Sequence, residues 1–199
     1  ELDKDQRLAE FAGIIMGDGH IQHRSDSNPE RDTSTYFISV TLNEAEKNLI
    51  EHTKTLLHEI TGLTPKEYEK DGRCIRIVLH SKELVRRLRN IGLEAGNKKE
   101  NQISVPAWIK KDENLSRACV RGLIDTDGSI YQDRRKERSY TRIQFKNYSD
   151  PLLEDFRQMC RKLHIETVKG GPHQIQISRY DIEQFIEIVD PIKAESLRT

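Results

Sequence analysis

One stretch of this sequence is written twice. Leu8-Ala9-Glu10-Phe11-Ala12-Gly13-Ile14-Ile15-Met16-Gly17-Asp18-Gly19 is matched by Arg117-Ala118-Cys119-Val120-Arg121-Gly122-Leu123-Ile124-Asp125-Thr126-Asp127-Gly128. Ala9 aligns with Ala118, Gly13 with Gly122, Gly17 with Thr126, and Asp18-Gly19 with Asp127-Gly128. The copies lie roughly one small domain apart. Within each copy the small residues recur every four positions, which on a helix is a ridge along one face. Glycine inside a helix costs about 1 kcal/mol relative to alanine. Two such glycines at matching places require a compensation, and close pairing of the two helices supplies it. Each helix should stop at its Asp-Gly, with Gly19 and Gly128 as left-handed caps.

Side-by-side packing through these ridges brings Asp18 and Asp127 together at one end. Two carboxylates at two helix C-termini repel each other, and the negative ends of the helix dipoles add to the repulsion. A hard divalent cation relieves it, since Mg²⁺ takes carboxylate, carbonyl and water oxygens. The terminal carbonyls of Gly17 and Thr126 are further candidate ligands. A calcium loop starting at Asp125 is excluded, because it needs glycine at its sixth place and glutamate at its twelfth. Those places hold Ile130 and Lys136.

The two copies resemble the paired motifs of the LAGLIDADG homing endonucleases, most closely the compact two-motif monomers encoded in archaeal introns. The second copy is close to the consensus, while the first has Met16 where an acid is usual. The resemblance implies a monomer with internal pseudo-twofold symmetry that cuts double-stranded DNA at a long asymmetric site and leaves 3′ overhangs. It implies Asp18 and Asp127 as metal ligands and Mg²⁺ as cofactor. Mn²⁺ should substitute, and Ca²⁺ should bind without supporting cleavage. It also implies a basic residue near the metal, Lys98 in the first half and Lys193 in the second, and a polar residue closing the second strand, Asn43 or Lys146. The family includes intron maturases, so intron RNA is an alternative partner; a duplicated structural domain is a third reading.

The remainder of the chain fits a duplication. Asp3-x-x-Gln6 resembles a capping box opening the first helix. Alternation at Ile38, Val40 and Leu42 predicts a strand, and Leu49, Ile50, Thr53, Leu56, Leu57 and Ile60 follow helical spacing up to Gly62. A hairpin turns at Lys70-Asp71-Gly72-Arg73, and a short helix holds Leu84, Val85 and Leu88. The same order recurs after residue 114. The expected class is therefore α+β: two αββαββα repeats, each an antiparallel four-stranded sheet with helices on one face. Residues 1–92 form the first repeat, 93–113 a linker and 114–199 the second.

The uncovered sheet faces form the expected DNA surface, a saddle over the duplex. Arginine and glutamine read base edges, and lysine, serine and threonine take phosphates. The candidates are Gln22, Arg24, Ser39, Thr41 and Arg76, then Arg134, Arg142, Gln144, Gln174, Gln176 and Ser178. Net charge is zero, with 33 basic against 33 acidic residues. Yet Arg134 to Lys146 is strongly basic, while acids such as Glu51, Glu183 and Glu187 fall in helical stretches. The strand rows of Arg142, Gln144 and Lys146 and of Gln174, Gln176 and Ser178 lack acids. No apolar run approaches the roughly 20 residues a membrane span needs. Glu1-Leu2-Asp3-Lys4 is not a signal peptide, and the three cysteines read as reduced core residues, so an intracellular protein is expected.

Overall fold

The computed structural model describes residues 2–24, 35–70, 72–93, 102–135 and 138–197. The first repeat runs α1 (Gln6–Gly17), β1 (Gly19–Arg24), β2 (Thr35–Asn43), α2 (Lys47–Thr61), β3 (Lys66–Lys70), β4 (Cys74–His80) and α3 (Lys82–Asn90). A short helix α4 (Ala107–Lys111) precedes the second repeat: α5 (Glu113–Asp127), β5 (Gly128–Arg135), β6 (Arg138–Lys146), α6 (Asp150–Lys162), β7 (Thr167–Lys169), β8 (Gln174–Ile177) and α7 (Ile182–Val189). A 3₁₀ turn, Ile192–Leu197, follows. The two sheets have the same strand order, β1-β2-β4-β3 and β5-β6-β8-β7, antiparallel throughout. The αββαββα duplication expected from the sequence is the fold.

Helices α1 and α5 lie parallel at the centre. Leu8 through Met16 are all buried, because one side of α1 packs on α5 and the rest on its own sheet and helices. The contact is backbone against backbone. A methyl on Gly13 would overlap the Cys119 carbonyl oxygen and lie 3.0 Å from Leu123 N. A methyl on Gly122 would overlap the Glu10 carbonyl oxygen and lie 2.8 Å from Ile14 N. These clashes are reciprocal, since Glu10 and Cys119 occupy matching positions, so a pseudo-twofold axis runs between the two glycines. Further along, Gly17 leaves the space that the Thr126 side chain fills. At the other end Arg117 Nη2 donates to Gln6 Oε1 (2.9 Å), which fixes the parallel sense.

Two cap expectations are corrected. The cap of α1 is Asp5, whose Oδ1 accepts from Leu8 N at 3.0 Å; Asp3 supplies only a carbonyl, to Asp5 N. Gly19 and Gly128 are not left-handed: among the described residues the positive-φ glycines are 62, 72 and 92, and Gly128 has φ −85°. The chain passes directly from each helix into a strand, and a Cβ there would press on the last turn, 2.5 Å from Ile15 Cα or 2.7 Å from Ile124 Cα. Steric room, not dihedral freedom, selects glycine at both places. Gly62 does cap α2 in the left-handed conformation, its N–H donating to His58 O at 2.7 Å.

The segment joining the repeats is pinned to both. Val105 N donates to Asp155 Oδ2 (2.7 Å), Lys110 reaches Asp155 Oδ1 (2.5 Å), and Ser149 Oγ donates to Ile103 O (2.6 Å). Trp108 Nε1 donates back to Ile91 O in the first repeat (3.0 Å). One difference between the sheets bears on the site. β2 and β4 pair from Phe37–His80 through to Asn43–Cys74, whereas β6 and β8 pair only from Gln144–Gln176 to Lys146–Gln174.

The helix contact gives a direct test. Gly122→Ala should destabilise the protein by about 3 kcal/mol or more, since the methyl meets backbone that cannot yield. Gly62→Ala, with open space around it, should cost only about 1 kcal/mol of left-handed strain. Urea denaturation of the two variants checks the difference.

Candidate active site

Each carboxylate of interest ends a central helix. Asp18 caps α1 and is exposed; Asp127 is the last residue of α5. The ridge contact that seats Thr126 against Gly17 places the two helix ends together: a Cβ on Gly17 would lie 3.5 Å from Asp127 N. Thr41 N donates to the Asp18 carbonyl (3.3 Å), tying this end to β2. Asn147 Nδ2 donates to Asp127 Oδ2 at 2.7 Å. The polar residue expected to close β6 is Lys146 or a neighbour of it, and the side chain that meets Asp127 is that of the neighbour, Asn147. Strand alternation puts Lys146 on the outward face with Gln144, where it is exposed, while Asn147 lies just past the strand. Asn43 closes β2 but turns its Oδ1 to Ala45 N (2.9 Å).

Lys193 is brought to this end. Its Nζ donates to Thr126 O (2.8 Å) and Gly128 O (3.0 Å) and lies 3.6 Å from Glu46 Oε1 of the first repeat. The Thr126 carbonyl, expected as a metal ligand, is thus occupied by an ammonium whose charge repels a second cation. The other candidate carbonyl is that of Gly17 at the end of α1. Lys98 lies outside the described residues. Among the described residues no three His, Cys, Asp or Glu side chains gather into a cage. Asp18 and Asp127 still fit a hard cation that completes its shell with water and substrate oxygens, the usual habit of Mg²⁺.

Behind the acids a chain of two buried carboxylates and two half-buried bases links the repeats. His52 Nε2 lies 2.6 Å from Glu10 Oε1, and Arg121 Nε lies 3.5 Å from that oxygen and 3.9 Å from Asp125 Oδ2. Asp125 Oδ1 accepts from Lys193 N at 3.0 Å, so this carboxylate anchors the 3₁₀ turn over the site. Burial pushes the Asp125 carboxyl up to about 6, against the backbone N–H groups of Lys193 and Ile192, which lower it. Its Oδ2 and Arg121 Nε are both buried without a hydrogen-bond partner among the described residues. Met16 occupies the matching place in the first repeat and is buried.

The outward sheet faces hold most of the expected reading residues. By register Gln22, Ser39, Thr41 and Arg76 share one face, and Arg142, Gln144, Gln174 and Gln176 the corresponding face of the second sheet. Arg76 Nη2 donates to Ser39 Oγ (3.2 Å) and packs over the Phe37 ring (5.2 Å), which leaves Ser39 only 4% exposed. Gln174 Nε2 donates to Gln144 Oε1, and Gln144 Nε2 to Ser129 Oγ (3.3 Å). Arg24 and Arg134 are placed by backbone pairing with Thr35 and Ser139.

Ser178 is corrected: β8 ends at Ile177, and Ser178 is buried with its Oγ accepting from Tyr180 N (3.4 Å). The acid-poor description is corrected too. Asp133 on β5 ion-pairs with Arg142 at 2.5 Å, across strands rather than along one. Alternation sorts charge on β3, which sequence reasoning had passed over. Lys66, Tyr68 and Lys70 share the face of Arg76, while Glu67 points to the helix side and pairs with Lys54 of α2.

Comparison with known proteins was made against this geometry. The family model of the LAGLIDADG-like domain matches residues 5–92 and 114–190. The crystal structure of I-DmoI in complex with DNA and Mn superposes with a TM-score of 0.66 at 18% identity, covering 94% of this chain and 97% of that one. The LAGLIDADG meganuclease I-AabMI bound to uncleaved DNA gives a TM-score of 0.59 at 12% identity, covering 96% and 87%. At these identities the likeness is one of fold. The replication factor C small subunit of Methanocaldococcus jannaschii is 27% identical over 193 residues, 92% of this chain but 10% of that protein. The chain thus spans about a tenth of that relative's length.

The Asp125 carboxyl supplies a stability prediction with a definite sign. Its folded pKa lies above the ordinary value of 3.8. The folded protein therefore holds a proton that the unfolded chain releases. That contribution is full below about pH 4 and is lost as pH rises through about 6. In EDTA, Asp125→Asn should gain on wild type by a few degrees of Tm, about 5 °C, between pH 4 and pH 7.5. A difference independent of pH would contradict the assignment.

Proposed function

This chain belongs to the LAGLIDADG-like domain family, and from that premise we propose that it is a site-specific DNA endonuclease. It works as a monomer that holds double-stranded DNA on the outward faces of its two sheets and hydrolyses one phosphodiester in each strand, using Mg²⁺ held by Asp18 and Asp127. One observation carries this reading: each repeat delivers a carboxylate to the same end of two parallel helices, where the like charges and the helix dipoles repel each other and a cation would relieve the repulsion. Binding alone gives no reason for that arrangement.

The roles follow from position. Asp18 and Asp127 bind the cation. A bound divalent ion supplies a Lewis acid that lowers the pKa of a water and offsets charge on the leaving oxygen. Asn147 holds Asp127 in one rotamer through its 2.7 Å hydrogen bond. Lys193 neutralises the carbonyl end of α5 and adds positive charge beside the scissile phosphates. Arg76, Gln22 and Thr41 in one half-site, and Arg142, Gln144, Gln174 and Gln176 in the other, meet base edges in the major groove. Lys66, Lys70 and Lys146 meet phosphates. Because the two sets differ, the target is asymmetric.

The test begins with selection of bound duplexes from a random library in Ca²⁺, followed by transfer of the selected duplex to Mg²⁺. Wild type should cut both strands at one position. Asp18→Asn and Asp127→Asn should each lose at least about 100-fold in cleavage rate, a few kcal/mol of transition-state stabilisation, while binding within a few-fold of wild type. A selected duplex that wild type binds but leaves intact in both Mg²⁺ and Mn²⁺ would sink the nuclease reading.

A further inference from the structure

The second sheet opens where the first stays closed. In the first repeat β2 and β4 remain paired out to Phe37–His80, but in the second the β6–β8 ladder stops at Gln144–Gln176 while β6 continues to Arg138. The strands part there, and a pocket of about 480 Å³ opens between them. Tyr140, Arg142, Val168 and Gln176 line it together with the buried Ile177 and Ile182.

Val168 is out of character with its surroundings. It pairs with Gln176, which pairs with Gln144, so all three lie on the outward face. It is 49% exposed. Among the described strand residues of both sheets it is the one aliphatic side chain so exposed. Arg142 Nη1 contacts Gln176 Oε1 at 3.4 Å beside it, so the apolar wall sits next to hydrogen-bonding groups.

Resting on the DNA-binding part of the function proposed above, we propose that this pocket reads the 5-methyl group of one thymine in the half-site that faces the second sheet. The base edges of the major groove offer one apolar group, the thymine methyl. Cytosine presents an amino donor at the neighbouring position, and purines present polar N7 and O6 or N6. An apolar wall leaves those groups without partners, which costs free energy, whereas burying a methyl against Val168 gains it. The first repeat closes the corresponding gap with strand pairing, so the reading is confined to one half-site.

Replacing each thymine of the selected duplex singly by deoxyuridine removes the methyl and nothing else. Affinity is then measured in Ca²⁺ for wild type and for Val168→Ala and Val168→Thr, with circular dichroism confirming that both variants fold. For wild type, one deoxyuridine in one half-site should weaken binding about fourfold, the value of one buried methyl. The same substitution should cost Val168→Ala less than about 1.5-fold, and Val168→Thr, which keeps one methyl, an intermediate amount. The proposal is overturned if no deoxyuridine weakens wild type by more than twofold, or if the loss is undiminished in Val168→Ala. A duplex that shows the Val168-dependent methyl effect yet is never cut defeats the nuclease reading alone. A normally cut duplex without the methyl effect defeats this inference alone. Failure to select any duplex defeats both.

Discussion

Backbone contact between α1 and α5 at Gly13 and Gly122 is the constraint on which the rest of this molecule depends. Two helices whose main chains touch cannot slide or rotate by a residue without driving a carbonyl into a Cα, so the contact fixes register as well as distance. Register decides which residues meet at the far end. With Gly13 opposite Cys119 and Gly122 opposite Glu10, four residues of rise bring Gly17 against Thr126, and the next residue in each helix is an aspartate. Packing in the middle of the molecule therefore brings the acids to one end, where Asn147 and the Thr41 N–H hold them locally. Gly19 and Gly128 complete the device by letting each chain turn into its first strand without a side chain striking the helix it has just left.

The two repeats share this frame and differ around it. Asp125 anchors the 3₁₀ turn that carries Lys193 over the site, while Met16, its counterpart, is apolar. Asp127 has a side-chain donor in Asn147; at the equivalent end of β2 the Thr41 N–H donates to the Asp18 carbonyl. The second sheet is open between β6 and β8 where the first is laddered. The two halves of the pseudo-twofold frame therefore carry unlike surroundings, as the asymmetric target proposed above requires.

The small-residue ridge, the period-two strands and the helix at Leu49–Ile60 were legible because each is a local repeat with one physical cause. The paired Asp-Gly ends were legible because they recur. What the sequence hid depends on contacts far apart in the chain. Asp5 rather than Asp3 caps α1 because helix phase, not motif spacing, decides which oxygen faces Leu8 N. Asn147 rather than Lys146 meets Asp127 because the strand stops one residue before it. Asp133 neutralises Arg142 from a neighbouring strand, a pairing visible only once register is known. The resemblance implies Lys193 as a basic residue near the metal, and its position on the Thr126 carbonyl follows from a turn held by Asp125, which spacing alone does not reveal.

The proposed function requires that Asp18 and Asp127 share one electrostatic site at the paired helix ends. A double-mutant cycle in stability tests it without any knowledge of the target. Wild type, Asp18→Asn, Asp127→Asn and the double variant are unfolded with urea at pH 7.5 in EDTA and low salt. If the carboxylates repel each other and the helix dipoles, each single change should stabilise by about 0.5–1 kcal/mol. The double variant should then gain less than the sum, with a coupling larger than about 0.5 kcal/mol that reverses sign in saturating Mg²⁺, where either single change removes a ligand of the shared cation. Additive effects within about 0.3 kcal/mol would mean that the two acids do not sense each other. The shared site, and the function built on it, would then fall.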